Sequence, residues 1–145
     1  MFDKSRSNLY DYLHGLFYGV VSNNVYNIEE PQELTASDVQ DGFIVIRIGD
    51  MNNESEFDNN AYGWARVYVT AYIPVAKRGR LDMDKFRAFE SGVMQVIENA
   101  ANAPDNGEGG YRIAENTMLS TDGTKQSNAN NYYFTFIKSF LVYIN

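Results

Sequence analysis

Two long stretches of the sequence alternate like β-strands, yet neither has a polar side. The first, AYGWARVYVTAYIPV at positions 61–75, has small and β-branched residues on one side; the other side carries Trp64, Arg66, Tyr68, Thr70 and Tyr72. The second, YYFTFIKSFLVYI at positions 132–144, has mainly Phe and Val on one side, interrupted by Lys138; the other carries Tyr133, Thr135, Ile137, Ser139, Leu141 and Tyr143. Because successive strand residues point to opposite faces, one side of each strand belongs to a core. The aromatic side must then be buried against another part of the chain or another molecule.

Two amphipathic helices are predicted beside these strands. Apolar residues recur at three- and four-residue steps from Leu9 to Val21, which indicates a helix over about 5–21. A second such stripe runs from Met83 to about Ala101, with Asp82 as its N-cap. Gly15 and Gly19 lie one turn apart in the first helix, and glycine is unfavourable there. We therefore expect a close approach of another element at these glycines.

The remaining segments complete an α+β prediction. The β-branched run 43–48 indicates a short strand ending at Gly49, and 111–119 indicates a third strand. Positions 23–42 are predicted to be a connector with at most one short strand or turn, and 50–60 and 121–131 to be polar loops or hairpin tips. The order α-β-β-α-β-β predicts one domain, 1–145, with a single four-stranded antiparallel or mixed sheet and two helices packed on one face.

Charge and composition narrow the classes of partner. The chain has 12 Lys and Arg against 19 Asp and Glu, a net charge of -7, which disfavours nucleic-acid binding because phosphate contact needs clustered cations. The basic run 77–80 is a short turn, where solvated charge is the simpler interpretation. Cysteine is absent, the N-terminus lacks the pattern of a signal peptide, and no apolar stretch approaches the ~20 residues of a membrane span. We expect a protein made in the cytoplasm, without a membrane partner.

Sequence motifs for catalysis or metal binding are not recognisable. His14 is the sole histidine, so a triad or multi-histidine site would depend on it alone. The acidic segment from Asp50 to Asp58 suggests calcium, but Ser55 and Ala61 stand where an EF-type loop needs Gly and Glu. Carboxylates fall in predicted loops or on solvated helix faces, and no glycine-rich phosphate loop is present. We predict no enzyme, no cofactor and no metal, with a weak cation site in the acidic segment as an alternative.

The positive signal is the aromatic side of the two long strands. A sheet with both helices on one face leaves the other face open, and a contiguous patch of Tyr, Trp and Leu exceeds what monomers usually expose. Either residues 22–42 or 111–131 cover it within the chain, or another copy does. Tyr, Trp and Arg favour interfaces, so we predict an oligomer interface formed by Trp64, Arg66, Tyr68, Thr70, Tyr72, Tyr133, Thr135, Ile137, Leu141 and Tyr143. Loop residues predicted to contact partners are Asp50, Glu54, Glu56, Asp58, Asp122 and Lys125.

The layout resembles the tail terminator, or tail completion, proteins of long-tailed bacteriophages and prophages. The resemblance spans nearly the whole chain: an N-terminal amphipathic helix, FIVIRIGD, a polar loop, a long strand turning through VAKRGRLD into MDKFRAFESGVMQVIENA, and the closing strand YYFTFIKSFLVYIN. It implies a small α+β protein that forms a ring, typically a hexamer, on the completed tail tube. The ring stops polymerisation of the tube and joins it to the head connector. The implied partners are the chain itself, the tail tube protein and the connector, in the virion tail.

Two other classes of function are compatible with the same residues. One is a small-molecule or peptide binding module that uses the Tyr-rich face as a groove. The other is a hydrolase built from scattered carboxylates without a recognisable motif. The three hypotheses differ in what covers the aromatic face: a neighbouring subunit, a bound ligand, or the chain itself.

Overall fold

The computed structural model describes residues 6–19, 22–53, 63–76, 80–101, 111–113, 118–126 and 132–144. Within these residues the helices are α1 (Arg6–Phe17), α2 (Ala36–Asp41) and α3 (Met83–Ala101). The strands are β1 (Val25–Asn27), β2 (Phe43–Asn53), β3 (Gly63–Ala76), β4 (Arg80–Leu81), β5 (Tyr111–Ile113), β6 (Met118–Gln126) and β7 (Tyr132–Ile144). The α+β class is confirmed.

One mixed sheet joins all of these strands, in the order β1-β2-β3-β7-β5. β1 runs parallel to β2, whereas β2, β3 and β7 are antiparallel to one another. β6 pairs with β7 at residues 132–139 and β5 with the same strand at 142–144, so both line one edge of β7. β4 pairs with the end of β3. Three of the four predicted strands are therefore β2, β3 and β7. The remaining one corresponds to the edge strands β5 and β6, and the short strands β1 and β4 are additional to the prediction.

Helices α1 and α3 cover one face of the sheet, as predicted. Leu9, Leu13 and Phe17 of α1 are fully buried, and α3 contributes the buried residues Phe89, Val93, Val96 and Ile97. They pack on alternate residues of the central strands, which are likewise buried: Ile44, Ile46, Ile48, Ala65, Val67, Val69, Ala71, Ile73, Phe136, Phe140 and Val142. This is the main core. The helix predicted from Met83 to Ala101 and the strand predicted from 132 to 144 are both confirmed.

The predicted connector 23–42 contains more structure than expected. It forms β1 and the helix α2, which begins with a capping box: Thr35 Oγ1 accepts from the Asp38 amide and the Asp38 carboxylate accepts from the Thr35 amide. At the other end, Gly42 has φ 86°, and a Cβ there would lie 2.4 Å from the main-chain oxygen of Tyr72. The sequence T-x-x-D is a recognisable start signal for a helix, but the helix is too short to show apolar periodicity.

Other boundaries also differ from the predictions. α1 ends at Phe17, and Gly19 follows it with φ 77°, so Gly19 is a turn residue and not part of the helix. The expected packing of another element of the same chain on Gly15 is wrong, since an added Cβ would meet nothing of the described chain within 4 Å. The third strand is two strands, β5 and β6, and the latter runs to Gln126 through much of the predicted polar tip. Val20, Val21 and the loop 54–60 lie outside the described residues.

Candidate functional site: the outer face of the sheet

The face of the sheet opposite α1 and α3, here the outer face, carries the aromatic side chains singled out in the sequence. The register aligns them in rows across the three long strands: Phe43–Tyr72–Thr135, Val45–Thr70–Ile137, Arg47–Tyr68–Ser139 and Asn52–Trp64–Tyr143. Arg66 lies opposite Leu141, between the last two rows. These rows fall into two halves with different surroundings.

One half is covered by the chain itself. Residues 28–42, here called the lobe, contain α2. Leu34 of the lobe packs against a second, smaller core formed by Phe43, Val45 and Tyr133. Phe43 stacks on Tyr72 with ring centroids 4.4 Å apart, and the Tyr133 ring meets Phe43 edge-on at 5.3 Å. The side chains of Tyr133 and Thr135 are 1% and 0% exposed. Part of the predicted interface is therefore an internal core.

A polar network around Asp38 fastens the lobe to this half. Asp38 is fully buried, and the Tyr26 hydroxyl donates to its carboxylate, with O–O distances of 2.8 and 2.7 Å to Oδ1 and Oδ2. The Thr35 amide donates to Oδ2 at 2.9 Å. The Tyr133 hydroxyl donates to the main-chain oxygen of Asp38 at 3.1 Å. The network satisfies a buried carboxylate, which would otherwise be costly.

The two tyrosines of this network have perturbed acidities. Burial, reinforced by the hydrogen bond to Asp38 and by its charge, raises the pKa of Tyr26 to about 12. Burial, together with the charges of Asp38 and Glu30, raises the pKa of Tyr133 to about 12. Both phenols therefore stay protonated in the folded protein well above the pH at which a free tyrosine ionises. They act as hydrogen-bond donors and not as bases.

The other half, here the open half-face, is not covered by the lobe. Trp64, Arg66, Ile137, Leu141 and Tyr143 are half-buried there, and Tyr68 is 37% exposed. Thr70, also half-buried, marks the border with the covered half. The Tyr68 ring lies directly on the β2 backbone at Gly49, where an added Cβ would be only 2.7 Å from Tyr68 Cε2. Gly49 thus lets the ring lie flat, which produces a broad aromatic surface.

The open half-face is also basic. Arg66 donates from Nη1 to Ser139 Oγ at 3.3 Å, and the exposed Arg47 donates from Nε to the main-chain oxygen of Ile28 at 3.2 Å. Arg112 is exposed and stands opposite Tyr143, so it lies on the same face. Among the outer-face side chains that the structure describes, none is Asp or Glu.

Arg47 and Arg112 also lie on the outer face, and their positions in the sequence contain a signal for this placement. Arg47 alternates with Phe43 and Val45 within FIVIR, and Arg112 stands between two residues that face the core. Period-two reasoning applied to these shorter strands places both arginines on the outer face. The prediction of Tyr133 and Thr135 as accessible interface residues is corrected, because both are buried. Tyr72 is half-buried and stacks on Phe43 in the aromatic cluster beneath the lobe.

The predicted partner-contact loops are largely outside the described residues. Asp50 belongs to β2, and Asp122 and Lys125 belong to β6, so these three lie in strands. Glu54, Glu56 and Asp58 fall in a segment that the structure does not describe.

Possible metal ligands are not clustered in the described ranges. No three His, Asp or Glu residues there lie close enough together to hold a metal ion. His14 stacks on Tyr18 with ring centroids 5.5 Å apart, at the end of α1. None of the described helices is long and apolar enough to cross a membrane.

No protein-family model matches the chain, and no curated protein sequence matches it significantly. The outer face is therefore interpreted from its own chemistry.

Proposed function

We propose that the protein is a structural component of a phage or prophage tail, a ring-forming tail terminator. It caps the completed tail tube, stops its polymerisation and joins it to the head connector. Copies of the chain associate through the open half-face. The observation that carries this proposal is the partly exposed surface of Trp64, Tyr68, Leu141 and Tyr143 on the paired strands β3 and β7.

The composition of the open half-face supports a protein partner. Aromatic side chains and arginine supply most of the binding energy in protein interfaces, because they bury large areas and keep a polar group for hydrogen bonding. The residues stand on three paired strands, so their positions are fixed before binding and little ordering entropy is lost. Layout and length also match the tail terminators that the sequence resembles.

Self-association is tested first on the purified protein. Light scattering coupled to size exclusion, over a range of protein concentrations, is expected to show a discrete oligomer. Tyr68→Asp places a charge in the centre of the open half-face and is expected to raise the dissociation constant strongly. Tyr132→Asp is the matched control, since Tyr132 is 53% exposed and lies outside this half-face. A wild-type monomer at every concentration, with a small ligand or peptide bound to the aromatic surface, would favour the binding-module alternative.

The role in the tail is tested in the phage or prophage that encodes the chain. Deleting the gene is expected to give tails of uncontrolled length that carry no heads, as seen by electron microscopy. Complementation with the wild-type protein restores normal tails, whereas Tyr68→Asp does not. Normal tail length without the protein would refute the assignment as a terminator, whatever its oligomeric state.

A further inference from the structure

The lobe has the opposite chemistry to the open half-face beside it. Residues 28–42 contain five carboxylates and no Lys, Arg or His: Glu29, Glu30, Glu33, Asp38 and Asp41. All but Asp38 are at least partly exposed. Two apolar side chains are exposed on the same segment, Ile28 at 57% and Val39 at 39%. The lobe thus presents acidic and aliphatic groups, while the open half-face presents arginines and aromatic rings.

Ile28 is held outward by an unfavourable backbone. Its φ is 79°, a conformation that β-branched residues rarely adopt. The Glu29 amide donates to the Asn27 oxygen at 2.9 Å, which closes a γ-turn around Ile28. The Ile28 amide is bound at 2.7 Å to the Ile46 oxygen. A strained turn that directs an apolar side chain into solvent has no benefit for the isolated chain, and strain of this kind concentrates at binding sites.

We propose that the lobe of one copy docks on the open half-face of the next copy. This contact deepens the self-association in the proposed function and depends on it. Glu29 and Glu33 of the lobe approach Arg66 and Arg112 of the neighbour, and Ile28 packs against the aromatic rings. In the proposed ring each copy offers its lobe to one neighbour and its half-face to the other, so the contact is heterologous, and such contacts close into a ring when the rotation between neighbours closes.

The charges of the lobe and of the open half-face favour a second copy of the chain, and not a nucleic acid, as the partner. Arginine and aromatic rings on a sheet also suit single-stranded DNA or RNA, whose bases stack and whose phosphates pair with cations. Here the acidic lobe adjoins the basic surface, with Arg47 bonded to the Ile28 oxygen at their border, and it repels a polyanion. An acidic partner that also carries apolar side chains has the required complementarity, and the lobe of another copy has both.

Charge reversal on each patch, followed by mixing, tests the proposal. The half-face variant is Arg66→Glu with Arg112→Glu, and the lobe variant is Glu29→Lys with Glu33→Lys. Alone, each variant brings like charges together at every contact, so its dissociation constant is expected to rise about tenfold or more. Mixed in equal amounts, the two variants alternate, every contact regains opposite charges, and assembly by light scattering is expected to return. Added salt is expected to weaken the wild-type oligomer.

Matched controls separate this contact from general charge effects. Asp11→Lys with Glu98→Lys makes the same change in net charge as the lobe variant, at exposed positions of α1 and α3, and is expected to leave assembly unchanged. Circular dichroism and thermal melting verify that each variant is folded. An oligomer that survives the lobe variant, or a mixture that does not reassemble, overturns the lobe contact while self-association stands. A wild-type monomer that binds a single-stranded oligothymidine probe overturns both.

Discussion

Asp38 is the position where one substitution should release the lobe. Asp38→Ala removes the reciprocal capping of α2, worth about 1 kcal/mol, and the hydrogen bond from Tyr26 to a charged acceptor, worth about 1.5–3 kcal/mol. The expected loss of unfolding free energy is therefore about 3 kcal/mol. Tyr26→Phe removes only the second contribution. Tyr133→Phe removes a bond to a neutral main-chain oxygen, worth about 1 kcal/mol, so the losses should fall in the order Asp38→Ala, Tyr26→Phe, Tyr133→Phe.

Urea unfolding followed by tryptophan fluorescence measures these free energies, and the double variant Tyr26→Phe with Asp38→Ala completes a cycle. Because the two side chains share one contact, the double loss should be smaller than the sum of the single losses by about 1.5 kcal/mol or more. Additive losses would show that the Tyr26 hydrogen bond contributes nothing. A dye that binds exposed apolar surface is also expected to bind Asp38→Ala below its unfolding midpoint, because the lobe detaches from the covered half before the main core unfolds.

Three further outcomes follow from the packing. The pKa of Tyr26 and of Tyr133 is raised from 10.0 to about 12 on folding. The contribution of these two phenols to stability is therefore present at pH values below 10 and is lost as the pH rises towards 12, because the unfolded chain loses protons that the folded chain keeps. Urea midpoints across this range measure the loss, and Tyr26→Phe should reduce its slope. Gly42→Ala combines positive φ with a main-chain clash and should lower the unfolding free energy by more than about 1 kcal/mol. Gly15→Ala, in open space on α1, should raise the unfolding free energy by a few tenths to about 1 kcal/mol. A melting temperature that is higher for Gly42→Ala than for Gly15→Ala would contradict this reasoning. Lys138 is 7% exposed on the helix-covered face. Lys138→Met keeps a long side chain at this position and removes its charge, so it should raise the melting temperature. A lower melting temperature would indicate that the ammonium group stabilises the fold.

The parts of the fold that sequence predicted are those with long periodic patterns. α3 and β7 each extend over more than ten residues. An apolar pattern of this length stays recognisable when single residues depart from it. The short elements β1, α2, β4 and β5 have too few residues to show a period, and tertiary contacts determine them. α2 is six residues long and depends on its capping box and on Leu34, whose burial needs the sheet to be formed first.

The candidate site was predicted in part for a related reason. Alternation in β3 and β7 identified the aromatic face, because it depends only on strand geometry. Which half of that face is covered depends on where residues 28–42 lie in space. That placement comes from the Tyr26–Asp38 bond and from Tyr133, which is 95 residues away from Asp38 in the chain. Sequence spacing contains no information on such a distant contact, so Tyr133 was placed on the correct face of the sheet but was wrongly predicted to be accessible.

The central position of β7 bears on how the protein folds. β7 follows the other described strands in the chain, yet it pairs with β3 over residues 63–74, and with β5 and β6 on its other edge. Until β7 pairs, β3 has an unpaired edge, a state prone to aggregation. Pairing partners about seventy residues apart also make folding slow. Substitutions that disrupt the β3–β7 pairing should therefore slow refolding and promote aggregation more than equally destabilising substitutions at the sheet edge in β1.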